Sequence, residues 1–96
     1  MEVTVDYLGH IKQTLAIREA ETVRLRDKAL LRDLLSSLAQ KYGEPFQKAV
    51  YEPGSPDLKP HYILSVNGLL LNQLKGLETK LKNGDCITLM PVVTGG

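Results

Sequence analysis

The residues whose chemistry is easiest to foresee are the two glycines at the end of the sequence, Gly95 and Gly96. Because glycine has no side chain, this backbone can enter a narrow channel and place its last carbonyl carbon beside a nucleotide or a thiol of another protein. The terminal carboxyl group has a reference pKa of about 3.3–3.7 and is ionised at neutral pH. A carboxylate resists nucleophilic attack, so we expect Gly96 to react only after conversion to an acyl adenylate or acyl phosphate.

The sequence lacks the means to carry out that activation itself. It contains neither the G-x-x-x-x-G-K-[ST] phosphate loop nor a glycine-rich dinucleotide turn. We therefore expect no enzyme activity and no bound cofactor in this chain alone, and activation by a partner protein. The alternative is that Gly95 and Gly96 are a frayed end without a chemical role, since chain ends are commonly tolerant of change.

The other reactive side chains do not form a recognisable site. The single cysteine, Cys86, excludes a disulfide framework and a cysteine-based zinc site. No neighbouring base is there to lower its pKa, so we expect a packed or half-exposed thiol. His10 and His61 are far apart in sequence, which argues against a metal site, and Glu19 and Glu21 are expected to be solvated on a loop.

Composition excludes several classes of partner. The 96 residues suffice for one domain, and their 43% hydrophobic and 24% charged content is that of a globular protein. The net charge is +1 and the basic residues are scattered, so nucleic-acid binding is not expected. No apolar stretch approaches the roughly 20 residues of a membrane span, and the start has no signal-peptide pattern. We expect a cytoplasmic protein that does not bind membranes.

Two opening strands are predicted to position one side of the sheet. Apolar and polar residues alternate over residues 3–8 and again over 22–26, the period-2 pattern of half-buried strands. A loose loop over about residues 9–21 is expected to join them, and its Ile11, Leu15 and Ile17 could extend either strand.

One helix is predicted between these strands and the rest of the sheet. Its apolar face has the spacing i, i+3, i+4, i+7 and i+11, in Leu31, Leu34, Leu35, Leu38 and Tyr42. Asp27 is the predicted N-cap and Gly43 the C-terminal stop. Residues 44–60 contain four prolines and are predicted to be a loop, with one helical turn around residues 46–50 as an option.

The remaining strands are predicted from turn residues. Asn67–Gly68 between two apolar runs predicts a hairpin with a type I′ turn. Residues 83–85 form a second turn before a last strand over 86–90, which Pro91 is expected to end because it lacks an N–H. A single amphipathic helix must pack on the sheet, so the class is α+β.

The end of the chain resembles a known family. Residues 77–96 read LETKLKNGDCITLMPVVTGG, similar to the Leu-x-x-Gly-Asp turn, apolar strand, proline and final Gly-Gly of the MoaD/ThiS group of ubiquitin-like sulfur carriers. Residues 31–35 and 65–68 also match. The resemblance implies one ubiquitin-like β-grasp domain over residues 1–96, with a mixed sheet of about five strands packed on one main helix and a flexible tail over 92–96.

The resemblance also implies a function. An E1-like, MoeB-type enzyme containing zinc would adenylate Gly96 with ATP, and a sulfur donor would convert the adenylate to a thiocarboxylate. The MoaD-type ending favours the small subunit of molybdopterin synthase, acting with a MoaE-type large subunit. Delivery of sulfur to thiazole or tRNA, conjugation of Gly96 to lysines of target proteins, and an interaction module with an inert tail are the alternatives.

A docking face is predicted from strand parity and from the family. The face of the sheet away from the helix should carry Leu8, Leu70 and Met90, with Ile63 and Cys86 as neighbours. In the family the corresponding face docks the activating enzyme and the acceptor subunit. The predicted partner-binding residues are Leu8, Leu70, Met90, Pro91, Val92, Val93 and Thr94. The alternatives are scattered surface apolar residues or a homodimer contact.

Overall fold

The computed structural model shows a sheet with helices on one side. It describes residues 1–9, 11–54, 58–59 and 62–91, without the side chains of Asn72 and Pro91. In chain order the elements are β1 (Glu2–Tyr7), α1 (Ile11–Thr14), β2 (Glu21–Arg24), α2 (Leu31–Tyr42), α3 (Glu44–Val50), β3 (Tyr62–Val66), β4 (Leu69–Leu70) and β5 (Cys86–Pro91), with 3-10 helices at Leu71–Gln73 and Gly76–Glu78.

The five strands form one mixed sheet in the order β2-β1-β5-β3-β4. β1 and β5 run parallel, and the other neighbouring pairs are antiparallel. The first and last strands of the sequence therefore lie side by side in the sheet. The predicted α+β class, with a mixed sheet on one main helix, is confirmed.

The core lies between α2 and the inner face of the sheet, which we define as the face that α2 covers. The predicted inward residues of β1, β3 and β5 are exposed by no more than 5%: Val3, Val5, Leu64, Val66, Ile87 and Leu89. Leu31, Leu34, Leu35 and Leu38 of α2 are buried against them. Burial of each such side chain stabilises the fold by about 1.5–3 kcal/mol, so this layer dominates stability.

α2 begins later than the sequence predicted. Its N-cap is Leu30, whose N–H donates to the Asp33 carboxylate at 2.8 Å. The predicted cap Asp27 is 91% exposed and lies in a turn. The reason is a non-local contact, since Leu30 pairs with Lys80 before the helix starts.

Two predicted loops contain short helices. Ile11, in a predicted loop and named as a residue that could extend either strand, begins α1 and is fully buried. Residues 44–50 form the complete helix α3, which buries Phe46 and Val50. These two residues face the core at i and i+4 of one helix, so burial overrides the proline-rich character of the segment.

The predicted hairpin is confirmed, with small changes at the strand ends. Asn67 and Gly68 have φ of 52° and 85°, as a type I′ turn requires. β5 continues one residue beyond its predicted end, to the pair Tyr62 and Pro91. A proline is tolerated here because antiparallel pairing uses the N–H only at alternate residues.

Candidate functional site

The strand that leads to the predicted reactive end is in the middle of the sheet. β5 lies between β1 and β3, with Leu89 paired to both Tyr7 and Leu64. The residues predicted to react or to bind partners beyond it, Val92, Val93, Thr94, Gly95 and Gly96, lie outside the described residues. The described part of β5 ends at Pro91, directly before that segment.

An apolar cluster lies on the outer face of the sheet, at the end where β5 finishes. Met90 pairs with Ile63, and Leu8 donates its N–H to the Leu89 carbonyl at 3.0 Å. We call Leu8, Ile63, Leu70 and Met90 the docking patch. Leu8 and Leu70 are 41% and 42% exposed, and Ile63 and Met90 are half-buried. The predicted placement on one face is therefore confirmed, whereas the docking role stays a prediction.

Leu70 joins the docking patch from the edge strand β4. It pairs with Ser65, which places it diagonally across from Ile63 on the same face. Its outward N–H donates to the Gln73 side chain at 3.0 Å, so this edge is closed to a further strand. The preceding residue, Leu69, is 47% exposed but has the opposite parity.

Cys86 lies outside the docking patch, contrary to the prediction that it could be a neighbour. It pairs with Thr4 at the start of β5, and four residues of strand, about 13 Å, separate it from Met90. Its side chain is exposed rather than packed or half-exposed. A small residue at the polar end of the sheet has no layer to cover it, which explains the exposure.

The outer face is polar away from the docking patch. Asp6 pairs with Thr88 in the middle of the face, and Glu2 forms an ion pair with Arg24 at 3.4 Å near its far end. Apolar surface is therefore concentrated where β5 ends. A partner that binds the docking patch would also be close to the point from which residues 92–96 continue.

A polar cluster on the inner face of the sheet, near the end of β5, was not predicted from the sequence. The hydroxyl groups of Tyr7 and Tyr42 donate to Oε1 of Glu21 at 2.6 and 2.9 Å. Lys41 donates to Oε2 of the same carboxylate at 2.6 Å. The cluster joins β1, β2 and the last turn of α2, and the Glu21 side chain is only 16% exposed. Glu21 is thus part of a strand and paired, and its predicted place on a solvated loop is wrong.

The hydrogen bonds determine the ionisation of this cluster. Burial alone would raise the pKa of Glu21, but hydrogen bonds from Lys41, Tyr7 and Tyr42 outweigh it and hold the pKa below its usual value. Burial, followed by the Glu21 hydrogen bond, raises the pKa of Tyr7 and Tyr42. Glu21 is therefore a carboxylate at neutral pH and both tyrosines keep their protons.

A signal for this cluster was present in the sequence. Glu21 has the same parity as the inward residues Val23 and Leu25 of the second strand, and Tyr7 has the parity of Val3 and Val5. A glutamate at an inward position needs a partner. The partner hydroxyl of Tyr42 comes from α2, 21 residues away, which no local pattern reveals.

Neither a metal site nor a membrane span is found in the described ranges. No three histidine, cysteine, aspartate or glutamate side chains among those residues come close enough to hold a metal ion. The two histidines of the chain, His10 and His61, lie outside the described residues. None of the described helices combines the length and apolar character needed to cross a bilayer.

Comparison with known proteins identifies relatives over most of the chain. The model of the ThiS family matches residues 5–96. A putative sulfur carrier protein of Archaeoglobus fulgidus is 31% identical over 70 residues, which cover 73% of this chain and 77% of that protein. Small archaeal modifier protein 3 of Haloferax volcanii is 34% identical over 73 residues, 76% of each chain.

The fold is also found in solved structures. The putative molybdopterin converting factor, subunit 1, of Pyrococcus furiosus is 28% identical and superposes with a TM-score of 0.75, covering 97% of this chain and 99% of that chain. Similarity of this extent confirms the predicted ubiquitin-like β-grasp fold.

Proposed function

The chain belongs to the ThiS family of ubiquitin-like sulfur carriers and protein modifiers, and on that basis we propose that Gly96 carries sulfur as a C-terminal thiocarboxylate. The observation that carries the proposal is the family match over residues 5–96, which extends through the two glycines. The relative from Archaeoglobus fulgidus, itself a putative sulfur carrier, supports the same function.

The proposed chemistry starts with the carboxylate of Gly96. Bound to an E1-like, MoeB-type enzyme that contains zinc, a carboxylate oxygen attacks the α-phosphorus of ATP and pyrophosphate leaves. The sulfur of a hydrosulfide-equivalent donor then attacks the acyl carbon, and AMP leaves with the oxygen it shared. One oxygen of the terminus is thereby exchanged for sulfur. This chain supplies the carboxylate, and its partner supplies the nucleotide and the metal.

The contribution of the folded domain is to bring the terminus to that partner. The docking patch is an exposed apolar surface beside the end of β5, so a partner that buries Leu8, Leu70 and Met90 holds the chain next to Pro91. Apolar side chains grouped on one sheet face are typical of partner sites. In this proposal residues 91–94 bind along the partner, and the glycines enter its catalytic channel because they carry no side chain.

For the sulfur acceptor, we propose a MoaE-type large subunit, with this chain as the small subunit of molybdopterin synthase. The support is the similarity to a protein named as a putative molybdopterin converting factor subunit, at 28% identity across 97% of this chain.

Conjugation to proteins is a second candidate function. Its support is the 34% identity to a small archaeal modifier protein. The chemistry branches from the same adenylate, because a lysine amine can attack the acyl carbon in place of sulfur. The product is then an isopeptide bond between Gly96 and the target.

Intact mass spectrometry distinguishes these functions. The protein from cells is first shown to end at Gly96, then incubated with ATP, an activating enzyme and a sulfur donor. A mass increase equal to the exchange of oxygen for sulfur supports the carrier function, and C-terminal remnants of this chain on lysines of cellular proteins support conjugation. Omission of ATP and deletion of Gly96 are the controls. An unchanged mass, with an enzyme that activates another carrier in the same mixture, would contradict the carrier function, and the absence of such remnants on lysines would contradict conjugation.

A further inference from the structure

The sequence contains two Asn–Gly pairs, Asn67–Gly68 and Asn83–Gly84. Such pairs are prone to deamidation, in which the glycine backbone nitrogen attacks the side-chain amide carbon. Ammonia leaves as a cyclic succinimide forms, and water then opens the ring to aspartate or isoaspartate. Glycine favours the reaction because it has no side chain to hinder its nitrogen. The two pairs lie in adjacent turns, so their surroundings can be compared directly.

In the first turn, hydrogen bonds hold both ends of the side-chain amide of Asn67. Its Oδ1 accepts the N–H of Cys86 at 2.9 Å, and its Nδ2 donates to Oδ1 of Asp85 at 2.9 Å. The backbone N–H of Asn67 also donates to the Cys86 carbonyl at 2.8 Å. The amide carbon that would be attacked is therefore held towards β5 by two contacts.

In the second turn, a hydrogen bond holds the attacking backbone nitrogen, that of Gly84. Gly84 donates its N–H to the Glu2 carbonyl at 2.8 Å. Asn83 accepts the Glu2 N–H on its Oδ1, also at 2.8 Å. Among the described residues no carboxylate accepts a hydrogen bond from Nδ2 of Asn83. Conversion of Asn83 to aspartate would thus keep the oxygen that accepts the Glu2 N–H, and it would not replace an amide donor of a carboxylate.

We propose that Asn67 is a deamidation site that Asp85 protects, and that its conversion to aspartate breaks the contact between the two turns. The new carboxylate would replace an N–H donor 2.9 Å from the Asp85 carboxylate, so an attraction becomes a repulsion between like charges. Isoaspartate would in addition lengthen the backbone of a two-residue turn. β4 has only two residues and depends on that turn for its pairing. This inference does not depend on the proposed function.

The protection is tested by the rate of deamidation. The full chain and its Asp85→Ala variant are held at mildly alkaline pH and mapped for aspartate and isoaspartate at both sites. Loss of a hydrogen bond to a charged group should speed the reaction at Asn67 roughly tenfold. Because Asp85 also accepts the Lys82 N–H at 2.7 Å, the rate at Asn83 reports general loosening. Equal acceleration at both sites, or none at Asn67, would overturn the proposal.

The consequence is tested separately with variants that mimic the product. Asn67→Asp should lower the urea midpoint, whereas the matched Asn83→Asp should leave it unchanged. The double variant Asn67→Asp with Asp85→Asn again pairs one amide with one carboxylate, with the two groups exchanged between positions 67 and 85. Its urea midpoint should therefore recover. Equal midpoints for Asn67→Asp and Asn83→Asp, or no recovery in the double variant, would refute the role of Asp85.

Discussion

The inner and outer faces of the sheet come from the same strands but differ in how they are covered. On β3, Leu64 faces α2 and is 1% exposed, while its neighbour Ile63 lies half-buried in the docking patch. On the inner face buried apolar residues extend across β1, β5 and β3, and the polar cluster around Glu21 lies at the β2 side. On the outer face apolar residues are confined to one end. Strand parity therefore separates the apolar side chains that form the core from those that remain exposed, and a shift of one position along a strand moves a side chain from one face to the other.

The largest effect should come from cavity formation on the inner face. Leu64→Ala is expected to lower the free energy of unfolding by about 2–5 kcal/mol, since the surrounding core cannot collapse fully into the space. The outer-face neighbour, Ile63→Ala, should cost less than half of this. Urea unfolding of both variants tests the separation, and equal losses would show that the outer face is as tightly packed as the core.

The docking patch should affect activation and leave stability nearly unchanged. Leu70→Asp is expected to slow activation by a partner enzyme about tenfold, equivalent to about 1.4 kcal/mol, because a charge would be buried on binding. Leu69→Asp is the matched control, since Leu69 is 47% exposed, Leu70 is 42% exposed, and they point to opposite sides. The measurement is the rate of ATP–pyrophosphate exchange. Similar rates for the two variants would argue against the docking patch.

The tyrosine–glutamate cluster should have a smaller effect that depends on pH. Glu21→Gln keeps an acceptor for the tyrosines but loses the charge-assisted bond to Lys41, so we expect a loss of about 1 kcal/mol at neutral pH. Glu19→Gln, at an exposed position outside the cluster, is the control. Equal stability of the two variants would mean that the cluster contributes nothing.

The sign of the pH dependence follows from the lowered pKa of Glu21. A carboxylate with a lowered pKa stabilises the fold fully above the ordinary glutamate value of about 4.3, and this stability is lost as the pH falls through the folded-state pKa. The difference between the unsubstituted protein and Glu21→Gln should therefore shrink in acid. Unfolding curves at neutral and acidic pH measure it, and a constant difference would contradict the assignment.

The smallest effect is expected at the polar end of the outer face. Arg24 and Glu2 form an ion pair at 3.4 Å, with side chains 85% and 55% exposed. Arg24→Ala should change stability by less than about 0.5 kcal/mol, because exposed pairs are screened by water and salt. Thermal unfolding at low and high salt measures this. A larger loss would mean that the outer face contributes more to stability than its exposure indicates.

Much of the fold was predictable because its signals are local. The spacing of the leucines in α2 and the alternation in β1 and β5 reflect which side of each element is buried. The turn at Asn67 and Gly68 was predictable because few residue pairs adopt a positive φ at both positions. The start of α2 was not, since it depends on pairing between Leu30 and Lys80, 50 positions apart in sequence. The short helix α1 was not predicted, and α3 was predicted only as an optional turn over residues 46–50, because helical patterns this brief do not outweigh the nearby glycine and proline.

For the candidate site, the sequence alone determined the strand parity that puts Leu8, Leu70 and Met90 on one face, and the family to which the C-terminal residues point. Periodicity and terminal motifs are properties of neighbouring residues, so they can be read without coordinates. Only the tertiary structure decided that Glu21 is enclosed by two tyrosines and a lysine. Those contacts arise from strand order and helix placement, which bring together residues that no local pattern relates.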